Sequence, residues 1–92
     1  MMDLLHRPAR QRAARLLLTL LEDNRGAPDP EVLHSRHLRR QDMARMIGIS
    51  PESFSRVLRS FAQRGIISLS RIRLRIRDRA LLQEIAKESS SR

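Results

Sequence analysis

Between Arg40 and Gly65 the chain carries two short stretches of helical period separated by a glycine, a spacing that leaves few folds open. Met43, Ala44 and Ile47 share one face of the first stretch. Phe54, Val57, Leu58 and Phe61 recur at i, i+3, i+4 and i+7 in the second, an inward stripe. Ala44 is small where a second helix has to press against the first. Gly48 stands where the first helix must stop and the backbone needs positive φ, which a residue without a Cβ adopts freely. Ile49 can fill the gap beneath that turn. Ser50 is a favourable N-cap, and Pro51 follows at the first helical position, where its missing N–H is not needed. The segment lacks an acid at the third helical position, so the capping box is incomplete. Glu52, Ser53, Ser55, Arg56 and Arg59 are left on the outer side. Apolar spacing alone suits any helical hairpin. The small–glycine–apolar turn under a polar outer face predicts a helix-turn-helix over 40–64 whose second helix enters a DNA groove. That helix ends at Gly65 after roughly 20 Å of helical rise, a length that suits a major groove.

With 92 residues the chain makes one small domain, and 40% hydrophobic content is enough for a single core. The absence of cysteine excludes disulfide staples, thiolate metal sites and a cysteine nucleophile. Net charge is +9, and its placement says more than its size. From Arg36 to Arg79 twelve arginines stand against Asp42, Glu52 and Asp78, whereas seven basic and seven acidic residues balance over the rest. The whole excess therefore sits on the helix-turn-helix and the segment after it, which favours a polyanionic partner, most simply nucleic acid. The longest apolar run, Leu16 to Leu21 interrupted by Thr19, is far short of the ~20 residues a bilayer span needs. Arginines before that run imitate an organelle presequence, but Glu22 and Asp23 follow at once and the segment continues into a domain. The expectation is a cytoplasmic, nucleoid-associated protein with no membrane contact.

Met1 to His6 reads as a lead-in. A helix is expected over 8–23, started by Pro8, with Ala13, Leu16, Leu17, Leu20 and Leu21 as the floor of the core and Arg12, Arg15, Thr19 and Glu22 off the stripe. The leucine run is wide for a monomer, so part of it is a candidate contact for a second copy or a missing domain. Gly26 is the expected cap, and 24–38 a loop in which Val32 to Leu38 fits either an extended piece or a helical turn. His34 and His37 lie here, too sparse a set for a metal site, and no cofactor is expected. Arg39 is a poor N-cap, leaving the first motif helix open to a phosphate. Beyond Gly65 the period changes from 3.6 to 2. Ile67 and Leu69 alternate with serines, and Ile72, Leu74 and Ile76 with Arg71, Arg73, Arg75 and Arg77. Two strands over 66–77 therefore form a hairpin wing turning near Ser70-Arg71, without the Gly or Asn that a two-residue turn prefers. The arginine row fits two roles, keeping a sheet edge soluble or touching phosphates. Asp78 caps a last helix over 78–87, with Ala80, Leu81, Leu82 and Ile85 closing the core, and 88–92 is a disordered tail. The fold class is mainly α with a small β-hairpin, α+β, a winged helix-turn-helix.

The run Leu38-Arg39-Arg40-Gln41-Asp42-Met43-Ala44 through Gly48, then Glu52-Ser53-Phe54-Ser55-Arg56-Val57-Leu58, then Gly65-Ile66-Ile67-Ser68, resembles the carboxy-terminal domain of the Crp–Fnr bacterial transcription regulators. Glu52, Ser55 and Arg56 are its most specific part and resemble the Fnr-type reader. The resemblance implies that these three reach base edges in a TTGAT-like half-site. Their chemistry agrees: Arg56 can pair bidentately with guanine, Glu52 can accept from cytosine N4, and Ser55 can serve either role or touch a thymine. Arg39, Arg40, Ser50, Ser53, Arg59, Arg71 and Arg73 are the candidates for the DNA backbone. Two positions depart from the family pattern: Pro51 stands where the Crp-type subgroup often has Arg, and Arg39 where Thr is usual. The family's amino-terminal effector barrel and long dimerisation helix have no counterpart in these residues. A homodimer through helix 8–23, or through a missing amino-terminal region, is the expected assembly. The alternative reading is a protein-interaction module docking on RNA polymerase through Asn24 to Leu33. Single-strand coating lacks aromatic platforms, and no nucleophile–base pair or phosphate-cradling loop suggests an enzyme.

Overall fold

The computed structural model describes residues 8–34, 39–70 and 73–87. The elements follow in the order α1 (Ala9–Asp23), β1 (Val32–His34), α2 (Arg40–Met46), α3 (Pro51–Gln63), β2 (Ile67–Leu69), β3 (Arg73–Ile76) and α4 (Arg79–Lys87). Helices and sheet enclose one cluster in which Leu17, Phe54, Leu58, Phe61, Ile66, Ile67 and Leu82 are the largest fully buried side chains. Each such side chain contributes about 1.5–3 kcal/mol by leaving water.

Helix α1 is the floor that the leucine stripe predicts. Ala13, Leu16, Leu17, Leu20 and Leu21 are all buried, and the helix packs chiefly on α4 and then on α3. The leucine run is thus covered within the chain; only Leu18 is left half-buried, beside the exposed Arg15 and Thr19. Its C-cap is Asn24, not Gly26: the side-chain amide of Asn24 donates to Pro30 O at 3.0 Å and Val32 O at 2.9 Å. Among the described residues, positive φ belongs to Gly48 and Gly65. Asn24 thereby closes the loop after α1 with its own hydrogen bonds, and Gly26 has no conformational task there.

That loop is shorter than 24–38, because Val32–His34 is a strand. It adds to the expected hairpin and makes a three-stranded antiparallel sheet in the order β1-β3-β2, with Val32 opposite Arg75 and Ile67 opposite Ile76. The two-stranded wing is thus one strand short of what forms. The extended alternative for 32–34 prevails because β3 has a second edge with backbone groups to satisfy. Around the wing turn, Ser70 N donates to Arg73 O at 2.9 Å and Arg73 N donates to Ser70 Oγ at 3.2 Å. A serine hydroxyl here supplements the backbone where the sequence offers no glycine.

Asp78 caps α4 as expected, accepting from Leu81 N at 3.0 Å. The buried face of α4 is Leu82, Ile85 and Ala86, with Leu81 half-buried and Ala80 exposed. Ala86, nearly two turns further along, takes the place expected of Ala80. At the far end, Gln11 Nε2 and Arg15 Nε on α1 both donate to Ala86 O, at 3.2 and 3.1 Å. Carbonyls in a last helical turn lack intrahelical partners, and α1 supplies them. The lead-in before Pro8, residues 35–38 with His37, Arg71 and Ile72 at the wing turn, and the tail after Lys87 lie outside the described residues.

Candidate nucleic-acid interface

Helices α2 and α3 end in the same way. After α2, Gly48 has φ 72°, Gly48 N donates to Arg45 O at 3.2 Å and Ile49 N to Ala44 O at 3.1 Å. After α3, Gly65 has φ 77°, Gly65 N donates to Ala62 O at 3.1 Å and Ile66 N to Phe61 O at 2.9 Å. These are paired Schellman closures, with glycine in the left-handed position and isoleucine next, its side chain turned to the core. The first fixes how α3 leaves α2, and the second how the sheet leaves α3.

Ser50 is extended at the start of α3, its hydroxyl accepting from Ser53 N at 3.1 Å, with Pro51 in the first turn. The same hydroxyl donates to Ser53 Oγ at 3.0 Å. Arg39 is extended and makes no side-chain cap at α2, as its residue type predicts.

Phe54, Leu58 and Phe61 are fully buried under α3, with Val57 half-buried at the stripe's margin. This orientation leaves Glu52, Arg56 and Arg59 exposed and Ser53 and Ser55 half-exposed on the opposite side. Glu52, Ser55 and Arg56 lie on one helical face, since positions three and four apart are neighbours. Arg39 and Arg40 are exposed at the start of α2, and Arg73 on β3. Among the described residues the ion pairs are Arg25–Glu22 and Arg75–Asp29. Glu52, Arg56, Arg59, Arg39, Arg40 and Arg73 take no part in them. The charges on α3 are thus free to meet a ligand. Arg71, the remaining candidate, lies outside the described residues.

The structure also shows what pattern alone missed. A shallow open groove of about 320 Å³ runs beside α3, lined by Ala9, Arg10, Ser53, Arg56, Val57 and Ser60. It places the first turn of α1 next to Arg56. Strand β3 is central in the sheet, so its arginine row does not guard an edge. Arg75 in that row is held by Asp29 at 2.9 Å, a pairing across 46 residues that no local signal announces.

A helix-turn-helix followed by an antiparallel wing, floored by one helix and closed by another, defines a winged helix-turn-helix. The sequence matches the family model described as the Crp-like helix-turn-helix domain over residues 11–85, and the chain belongs to that family. It is 37% identical over 78 residues to the cyclic AMP receptor protein of Thermus thermophilus, an alignment covering 85% of this chain and 33% of that protein. The crystal structure of the Thermus thermophilus catabolite activator protein superposes with a TM-score of 0.69 at 36% identity, over 85% of this chain and 33% of the other. The chain spans about a third of the length of these relatives. Among the described residues no helix is long and apolar enough to cross a membrane.

Proposed function

We propose that this domain binds double-stranded DNA sequence-specifically and regulates transcription, α3 lying in the major groove of a TTGAT-like half-site. Glu52, Ser55 and Arg56 read base edges. Arg39, Arg40, Ser50, Ser53, Arg59, Arg71 and Arg73 meet the DNA backbone. The observation that carries this reading is the outward face of α3: a carboxylate and a guanidinium, both exposed and outside any ion pair among the described residues, on a helix fixed at both ends. Family membership supports the same conclusion.

One module reads one half-site, and tight binding requires two copies on a palindrome. The leucines of α1 are buried inside their own chain. That helix offers a second copy little apolar surface, which shifts the proposed homodimer contact to a missing amino-terminal region. Selection from a random duplex pool, with the stoichiometry of the bound species, tests the reading. Enrichment of a TTGAT-like element is expected, and recovery of no sequence would sink it. Within the selected site, Arg56→Ala should lose about 1–3 kcal/mol of discrimination at one base pair. Equal losses on selected and scrambled DNA would remove Arg56 from the readers.

The loop before β1 favours a second use. Asn24 and the Asp29–Arg75 pair hold it in one shape on the surface, as a docking element requires. RNA polymerase is the partner that the family resemblance suggests for it. A stable protein complex in the absence of any DNA preference would make docking the primary function.

A further inference from the structure

The side chain of Arg12 reaches from α1 to the turn between α2 and α3. It is half-buried, and one guanidinium nitrogen donates to Ile47 O at 2.9 Å. Ile47 is the C-cap of α2, where carbonyls have no intrahelical partner and carry the negative end of the helix dipole. The same nitrogen lies 3.6 Å from the point where a Cβ on Gly48 would stand. A charged donor is thus lodged under the turn that determines how α3 leaves α2. Gln11 and Arg15, also on α1, donate instead to Ala86 O on α4.

We propose that Arg12 is a positioning residue for DNA reading: it ties α1 to the α2–α3 turn and so sets the angle at which α3 presents Glu52, Ser55 and Arg56. The inference rests on the DNA-binding function proposed above. Bidentate base contacts are directional, and a small rotation of α3 misaligns them. Phosphate contacts made by long, flexible arginines adapt to the same rotation. Loss of Arg12 therefore lowers the affinity for the selected site and spares binding to scrambled DNA. Arg12 itself faces the protein interior and neutralises no phosphate, so the salt dependence stays as it was.

The test compares Arg12→Gln, Arg12→Lys and Arg15→Leu with the unaltered domain. It uses the selected duplex and a scrambled one across a salt series, at a temperature where thermal melts show each variant folded. The Gln side chain is too short to reach Ile47 O and should lower the ratio of the two affinities about tenfold, the order set by one charge-assisted hydrogen bond. The salt slope should stay unchanged, and Arg12→Lys should recover part of the ratio. Arg15→Leu removes a comparable bond from the same helix to α4 and should keep the ratio while lowering stability. A wild-type ratio in Arg12→Gln overturns the proposal. So do equal losses on both duplexes with a slope shallower by about one, which would make Arg12 a phosphate contact. An equal loss of discrimination in Arg15→Leu would also overturn it. Should Arg12→Gln not fold, hydrogen exchange at Gly48 and Ile49 in Arg12→Lys decides: faster exchange is expected, and wild-type exchange overturns it. If the unaltered domain prefers neither duplex, the DNA reading fails, and the exchange measurement still reports whether Arg12 holds the turn.

Discussion

Two arginine-bearing surfaces in this domain, one on α3 and one on β3, are built on opposite plans. On α3, Arg56 and Arg59 project from a helix whose buried face is large and aromatic, and no carboxylate among the described residues holds them. On β3, Arg73 and Arg75 are exposed on a central strand, and Arg75 is already bound to Asp29. Equal charge does not give equal availability. The helix offers exposed, unpaired groups on a backbone fixed at both ends. The sheet offers a row part of which ties the preceding loop to the wing, while Arg73 stays exposed and outside any ion pair among the described residues.

The comparison breaks most completely if the common floor is removed. Phe61 is buried beneath α3, and its carbonyl accepts from Ile66 N at 2.9 Å where the chain turns toward the sheet. Phe61→Ala should cost about 3–5 kcal/mol, since the cavity cannot close around so large a loss. In a denaturant titration the helical signal and DNA binding should be lost together. Binding that survives with the core destabilised by less than 1 kcal/mol would show that the two surfaces do not share this support.

A smaller change sharpens the contrast. Arg73→Ala should weaken binding to selected and scrambled duplexes alike and make the logarithmic salt slope shallower by about one. Discrimination should be untouched. A change in base preference without a change in slope would place a base contact on the wing and erase the division of labour between strand and helix.

What was legible in the sequence follows the range of the interactions. The stripe of Phe54, Leu58 and Phe61, the glycine closures at Gly48 and Gly65 and the caps at Ser50 and Asp78 are set by residues within a turn or two of each other. Local period therefore placed the helices, and with them the outward positions of Glu52, Ser55 and Arg56. The side-chain bonds that lock the elements together span 35 residues from Arg12 to Ile47, 71 from Arg15 to Ala86 and 75 from Gln11 to Ala86. No period encodes them. Strand β1 was open for the same reason: three residues have no decisive pattern until β3 presents an unpaired edge. Gly26 misled because glycine's freedom is only an allowance, and Asn24 had a side chain able to close the loop by itself. Within the candidate site, exposure was readable from the helical face, but the pairing of Arg75 was not.

The smallest expected effect tests that pairing. Asp29 and Arg75 are about half exposed, with side-chain accessibilities of 52% and 47%, so solvent screens their attraction. Asp29→Asn should therefore lower stability by about 0.2–1 kcal/mol at most, a shift that vanishes in high salt. Its effect on DNA is the more informative half. With Asp29 neutral, Arg75 is released from its partner beside Arg73, and the salt slope should steepen by a fraction of a unit on any duplex. An unchanged slope would show that the middle of β3 stays clear of the phosphates even when its arginine is free. The pair would then serve only to join loop and wing, and contact with DNA would be confined to the end of the strand nearer Arg73.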